Sequence, residues 1–291
     1  MGCPGSRESS DDVFVGGVLA WGGPRLRDLP WRRTREEWPV LVSEVMSQQT
    51  GVERVVPKWV EFMERFPTVG DCARAELPEI LGIWQGLGYP RRARNLHLAA
   101  RSVAAAGAFP TDLAGWLALP GVGPYTARAV MAFAQSAEVA VVDTNVARVL
   151  ARRLGRSLGA REVQSEADRL VPAGDAWLWN QSLMELGATV CRARSPSCDD
   201  CPVERGCRWR GSADVDDPAR TTAGTSRPQA RFDGSDRQAR GALLRRLVTG
   251  TLPLTEVAAV VERPVATAER VLESLVDDGL CVVDGDVVRL P

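Results

Sequence analysis

The sequence predicts a mainly α fold on three observations. Helical periodicity runs nearly unbroken from Trp38 to about residue 210, alternating strand patterns are scarce, and alanine-rich runs recur at 93–107, 126–136 and 146–153. At 291 residues the chain predicts one large or two modest domains. Hydrophobic residues at 45 % and charged residues at 25 % exclude a wholly disordered, collagen-like or coiled-coil chain. No apolar run approaches the roughly 18–20 residues of a membrane helix. The formal charge of −1 exerts no global pull on nucleic acid, so an anionic partner must be met by a local patch. Lys58 is the single lysine. Arginine, which supplies almost all the positive charge, grips phosphates bidentately but is too basic to serve as an amine nucleophile.

Taken in order, residues 1–12 are polar and read as a disordered tail without a signal peptide. A first domain then spans 13–210. It opens with an apolar stretch, a Gly22-Gly23-Pro24 break and Leu29-Pro30-Trp31-Arg32. Over 52–66, the residues Val55, Val56, Trp59, Val60, Phe62 and Met63 share a broad apolar helix face, and Pro67 ends the helix. Val139–Val142 is β-branched but short, and reads as a buried extended link into a helix. Residues 211–235 are rich in Gly, Ser, Thr, Asp and Pro without apolar periodicity, and read as a linker. Helical patterns return at 237–248, 253–262 and 265–279, followed by alternation from Cys281 to Val288 around an Asp284-Gly285 turn. Three helices and a hairpin over 236–291 are winged-helix-like. The third helix carries Glu269, Glu273, Asp277 and Asp278, which would repel a phosphate backbone, so a structural or protein-binding role fits it better than groove reading.

Cys191, Cys198, Cys201 and Cys207 follow one another with spacings of 6, 2 and 5 residues. Four thiolates this close can surround one metal centre. Zinc also takes four cysteines, but usually as two knuckle-like pairs, and the irregular spacing fits a [4Fe–4S] cluster better. Clustering of this kind suits a reducing cytoplasm rather than a disulfide framework. Leu119-Pro120-Gly121-Val122-Gly123-Pro124-Tyr125 places two glycines ahead of a helix, a turn whose exposed N–H groups and helix dipole form an anion site. It is read as a helix-hairpin-helix turn gripping a DNA phosphate through Gly121, Val122 and Gly123. Asp143 stands where an apolar link becomes a helix. It reads as an N-cap, and a carboxylate held there by amides stays ionised and can face developing positive charge. Glu44 lies in an apolar helical stretch, where burial would raise its pKa and suit it to proton donation. Two arginine runs lack acids: 80–111, with Arg91, Arg92, Arg94 and Arg101, and 144–161, with Arg148, Arg152, Arg153, Arg156 and Arg161. Flanking the hairpin, they read as phosphate contacts, Arg91 among them. His97, the one histidine, is assigned a packing or phosphate-side role rather than a catalytic one.

Together these motifs resemble the helix-hairpin-helix DNA glycosylase superfamily and, within it, the adenine glycosylases of actinobacterial type with a short C-terminal domain. The resemblance runs from about Trp31 to Cys207 and includes Ser43-Glu44-Val45-Met46, Gln48-Gln49-Thr50, Gly86-Leu87-Gly88-Tyr89, Asn145 and Met184-Glu185-Leu186-Gly187. It implies a two-lobed fold with a [4Fe–4S] loop, acting as a monomer on double-stranded DNA that contains adenine opposite 8-oxoguanine or guanine. It further implies that Glu44 protonates the adenine, that Asp143 stabilises the sugar cation, and that Tyr125 and Asn145 order these carboxylates. Trp31, Arg32 and Glu185 would line the pocket for the extruded base, and Gln49 and Tyr89 would wedge the duplex. Related bifunctional enzymes carry a lysine where Tyr125 stands, so the resemblance implies no efficient lyase activity. Ser47 and Pro90 depart from the usual pattern, and 236–291 does not resemble the Nudix-like domain of many members. Discrimination of 8-oxoguanine is therefore the least anchored expectation. Two other readings remain: a thymine or uracil mismatch glycosylase, and a non-catalytic iron–sulfur DNA-binding protein.

Overall fold

A computed structural model describes residues 9–212, 214–225 and 231–291. The chain divides into two compact units: Met1–Leu29 with Ala127–Pro228, and Pro30–Thr126 with Gln229–Pro291. The helices are α1 (Ser10–Gly22), α2 (Glu37–Ser47), α3 (Val52–Arg65), α4 (Val69–Arg74), α5 (Leu77–Ile83), α6 (Arg91–Ala106) and α7 (Leu113–Leu117). They continue with α8 (Pro124–Phe133), α9 (Thr144–Leu154), α10 (Ala160–Arg169), α11 (Ala176–Thr189), α12 (Asp236–Val248), α13 (Val257–Val261) and α14 (Val265–Asp277).

In the first unit α9 packs against α10 and α11, and α1 lies on α11. Phe14, Val18, Val146, Leu150, Trp179 and Leu183 are among its buried core. Gly22 permits the approach of α1 to α11, because a Cβ there would fall 2.1 Å from Ser182 Oγ. Within the tail expected over 1–12, residues 9–12 are structured. Residues 1–8 lie outside the described residues, while Ser9 caps α1 by accepting from the N–H of Asp12 at 3.1 Å. Asp11, on the first turn, pairs with both Arg153 and Arg169. The proposed linker also differs from expectation. Pro218 and Ala219 are buried in a short 3-10 turn against α9, and Thr222 Oγ1 accepts from the N–H of Leu158 at 3.1 Å. Composition predicts an open segment here, but the docked prolyl turn contributes apolar surface of its own.

In the second unit α2 is buried over every residue from Trp38 to Met46, the pattern of a helix enclosed on all sides. Phe62 on α3 stands at the centre of an aromatic group, 5.0 Å from Phe66, 6.2 Å from Trp38 and 6.4 Å from Trp84. The buried face of α3 is narrower than its periodicity suggests, because only Val55 and Phe62 are fully buried and Val60 is exposed. The C-terminal segment packs α12, α13 and α14 beside a three-stranded antiparallel sheet of β1 (Leu252–Pro253), β2 (Val282–Asp284) and β3 (Val287–Arg289), in the order β1–β3–β2. Gly285, with φ +62°, makes the predicted hairpin turn. β1 takes the first residue of what periodicity reads as helix 253–262, because Pro253 pairs with Val287. The segment is not separate from the rest of its unit: α12 packs on α5, and Asp278 bridges Arg91 and Arg240. Part of the acidity of α14 is thus spent on arginines of its own chain. No helix among the described residues is long and apolar enough to cross a membrane.

Candidate functional site

The link Val139–Val142 is held extended by Asn180 of α11, whose Oδ1 accepts from the N–H of Val141 at 2.8 Å and whose Nδ2 donates to the carbonyl of Val139 at 2.9 Å. The link delivers Asp143 to the N-terminus of α9. There its Oδ1 accepts from the N–H groups of Asn145 (2.9 Å) and Val146 (2.7 Å), and its Oδ2 accepts from Asn145 Nδ2 (2.7 Å). The cap and the predicted charge-facing carboxylate are one group. Burial nevertheless raises its pKa above the ordinary value, against the three N–H donors and the charge of Arg148. Treating Asp143 as simply held ionised omitted this desolvation.

Arg148 continues the network. Its guanidinium donates to Asn145 Oδ1 (2.7 Å), to the carbonyl of Gly187 on α11 (2.7 Å), and to the carbonyl of Cys191 (2.7 Å). Gly187 is required because a Cβ there would fall 2.5 Å from Cβ of Asn145. Glu185, two residues earlier on α11 and buried, accepts from Arg27 Nε at 2.5 Å.

All four clustered cysteines line one cavity of about 310 Å3, mouth included. Arg152 Nη1 lies 3.4 Å from Cys191 Sγ and Nη2 lies 2.6 Å from Asp217, while Trp209 stacks 4.4 Å from the guanidinium. The N–H of Arg210 points at Cys207 Sγ from 3.4 Å. Burial and the neighbouring thiols push Cys198 up, and burial pushes Cys201 up to about 11. Among the described residues, no three His, Cys, Asp or Glu groups converge tightly enough for a single ion.

The 144–161 arginine run is therefore not uniformly a solvated face: Arg148, Arg152 and Arg153 are buried, whereas Arg156 and Arg161 are exposed. Spacing at i and i+4 sends Arg148 and Arg152 to the cysteine loop. Sequence reasoning missed these two as site residues, along with Asp217. The absence of nearby acids was the signal, and the partners turned out to be distant carbonyls and thiols.

In the second unit Glu44 is buried on α2 at 9 % exposure, and Trp31 meets Trp59 edge-on at 5.9 Å. Arg32 follows Trp31 in the short 3-10 turn Pro30–Arg33. The end of α2 is capped by Arg92 of α6. Its Nη1 donates to the carbonyls of Val45 (2.8 Å), Met46 (3.0 Å) and Gln48 (2.6 Å), and its Nη2 to Leu87 and Gly88 (2.9 Å each). Burial brings Arg92 down to about 10, so it stays cationic at neutral pH. This one side chain joins the Gln48-Gln49-Thr50 turn to the Gly86–Tyr89 loop, and Gln49 and Tyr89 both adopt left-handed backbone, φ 55° and 48°. Gly121, φ +75°, also lies where a Cβ would fall 2.6 Å from Asn95, whereas around Gly123 there is open space ahead of α8. Tyr125 sits in the first turn of that helix. Arg91 is exposed and lies 3.5 Å from Asp278, while the half-buried Arg92 turns its guanidinium onto carbonyls. His97 is buried on α6, as a packing role requires.

These features match known proteins. Residues 42–173 match the family model HhH-GPD superfamily base excision DNA repair protein, which defines the class. The adenine DNA glycosylase of Mycolicibacterium smegmatis is 45 % identical over 272 residues, 90 % of each chain. The human adenine DNA glycosylase is 40 % identical over 68 % of this chain and 39 % of its own. A thermostable thymine-DNA glycosylase superposes with a TM-score of 0.65 and 30 % identity, covering 69 % of this chain and 97 % of that one. An endonuclease III–DNA complex, 24 % identical with a TM-score of 0.60, shares the fold. The chain belongs to the adenine DNA glycosylase family of the helix-hairpin-helix base excision repair superfamily.

Proposed function

We propose that the protein excises adenine mispaired with 8-oxoguanine or guanine by hydrolysing the bond between base and deoxyribose, without efficient strand cleavage. The observation that carries the chemistry is the half-buried Asp143 carboxyl, oriented by three N–H donors at a helix N-terminus. The likeness to adenine DNA glycosylases over nine-tenths of both chains carries the substrate.

In this reading Glu44 gives a proton to the extruded adenine. The glycosidic bond breaks, its electron pair leaves with the purine, and Asp143 faces the resulting sugar cation. Water adds to the sugar carbon and its proton restores Glu44. Tyr125 and Asn145 order the carboxylates, and Trp31, Arg32 and Glu185 line the base pocket. Gln49 and Tyr89 enter the gap that the base leaves. Gly121, Val122 and Gly123 hold a phosphate at the start of α8. The domains are proposed as a glycosylase region over 13–210, extended through the docked turn at 218–222, and a winged-helix-like region at 236–291.

The cysteine cavity fits a [4Fe–4S] cluster held by Cys191, Cys198, Cys201 and Cys207. The four thiols line one cavity, and a cationic centre there would hold Cys198 and Cys201, whose pKa values burial raises, as thiolates. Bound there, the cluster would supply structural cross-linking of the loop. Arg152 offsets thiolate charge, and Arg148 joins the loop backbone to Asn145.

The test is base release from duplexes carrying A opposite 8-oxoguanine, A opposite G, T opposite G and U opposite G. Adenine release is expected from the first two. Glu44→Gln and Asp143→Asn should each abolish release while duplex binding persists. Release confined to the G:T or G:U duplexes would overturn the substrate, and activity in both variants would overturn the mechanism.

A further inference from the structure

In the first unit the link from Glu138 to Val142 buries Ala140 and Val141, yet among the described residues no strand lies beside it. Buried N–H and carbonyl groups must be paired. An extended chain turns the polar groups of successive residues to opposite sides. Here each side meets side chains where a sheet would supply a strand. On one side Asn180 serves both Val139 and Val141, as a peptide group would. On the other, the N–H of Ala140 donates to Asp168 Oδ1 at 3.2 Å, and the carbonyl of Ala140 accepts from Gln164 Nε2 at 3.3 Å. At the start of the link, Glu138 Oε1 accepts from the N–H of Gly174 at 2.8 Å.

Gln164 and Asp168 stand at i and i+4 on α10, so one helix face presents both groups to the link. Gln164 Nε2 also donates to Asp168 Oδ1 at 3.1 Å, and Arg128 of α8 donates to the same oxygen at 2.9 Å. These two donors orient the carboxylate of a largely exposed residue, so that its oxygen meets the N–H of Ala140. An ion pair with Arg128 alone would leave that N–H without its acceptor. Asn180 grips one edge of the link, and a chain held at one edge can still turn about its own axis. The second grip, from α10, removes that freedom three residues before Asp143.

We propose that Asp168 and Gln164 are positioning residues for base release: opposite Asn180 they form a substitute strand edge that fixes the backbone leading into Asp143 and so sets where its carboxyl faces the sugar. This rests on the reading that Asp143 faces the sugar cation. The cap bonds at Asn145 and Val146 orient the carboxyl relative to α9, whereas the two grips on the link orient it relative to α10 and α11. Neither Asp168 nor Gln164 touches the reacting atoms. Their effect passes through the link, and a carboxyl displaced by about 1 Å can lose up to about 100-fold in rate.

Two substitutions at one exposed position separate this role from that of a structural ion pair. Asp168→Asn keeps Oδ1 as an acceptor for Ala140 and loses only the charge that meets Arg128, whereas Asp168→Ala loses both. In the full-length chain, Asp168→Ala should speed hydrogen exchange of the Ala140 amide about tenfold, and Asp168→Asn should restore its protection. Single-turnover adenine release should fall about tenfold in Asp168→Ala while the duplex Kd stays within about twofold, and Asp168→Asn should recover most of the rate. Gln164→Met, which keeps the shape and removes the donor, should slow release in the same way. Equal losses in Asp168→Ala and Asp168→Asn would assign the effect to the Arg128 pair and overturn the proposal. Unchanged exchange, or an unchanged rate, in Asp168→Ala would overturn it too. Full release by Asp143→Asn is scored separately. It would strike the functional reading, while exchange still decides whether α10 holds the link.

Discussion

Replacing Arg148 with Gln tests whether Asp143 is positioned from the cysteine loop. The guanidinium donates to three separate acceptors at 2.7 Å: Asn145 Oδ1, the carbonyl of Gly187 and the carbonyl of Cys191. Glutamine reaches at most one of them. Two buried acceptors are then unpaired, each costing about 1–3 kcal/mol, so about 3 kcal/mol of stability is lost after partial relaxation. For a unit of this size that lowers Tm by roughly 6–12 °C. Freed from Arg148, the Asn145 amide can turn its oxygen toward Asp143 and lose the Nδ2 contact. A misoriented carboxylate of this kind lowers the single-turnover rate of adenine release by about 10- to 100-fold. Loss of stability alone could mimic a lower rate, so the deciding assay is a double-mutant cycle with Asn145→Ala, run well below either Tm. If Arg148 acts through Asn145, adding Arg148→Gln to Asn145→Ala costs little further rate. Multiplying rate losses would refute the positioning argument.

Three further outcomes are expected. Cys198→Ala should remove the visible absorption and iron of the purified chain, and iron analysis with an absorption spectrum checks it; zinc in place of iron would refute the cluster. Asp11 is held below the ordinary carboxylate pKa by hydrogen bonds from Arg169 and Arg153. Its stabilising effect is therefore full above the unfolded value and is lost as pH falls through the folded one. The pH profile of thermal unfolding of Asp11→Asn should converge with that of the unsubstituted chain only at acid pH. Product strands should remain intact until treated with alkali, whereas Tyr125→Lys, which places an amine there, should add alkali-independent nicking on a denaturing gel.

Local patterns made much of this legible. The cysteine spacing, the double-glycine turn and the apolar-to-helix switch at Asp143 each specify a backbone event within a few residues, and the structure forms the turn and the cap where those patterns place them. Long-range pairing was not legible. Charge runs predict a solvated face because an isolated guanidinium prefers water. Arg148 and Arg152 are buried and Arg92 is half-buried instead, since each meets carbonyls or acids brought from more than 40 positions away. The docking of Pro218 and Ala219 was not legible for the same reason: they are buried only because α9 offers them a surface.

The amino-acid order by itself determined which chemistry is present: two carboxyls in apolar helical surroundings, four thiols in one loop, and a single amine side chain too remote in sequence from Tyr125 to replace it. Tertiary structure alone decided where the arginines spend their charge. Burial makes a cation tolerable only where acceptors converge, and convergence is a property of packed elements that no local run of residues contains.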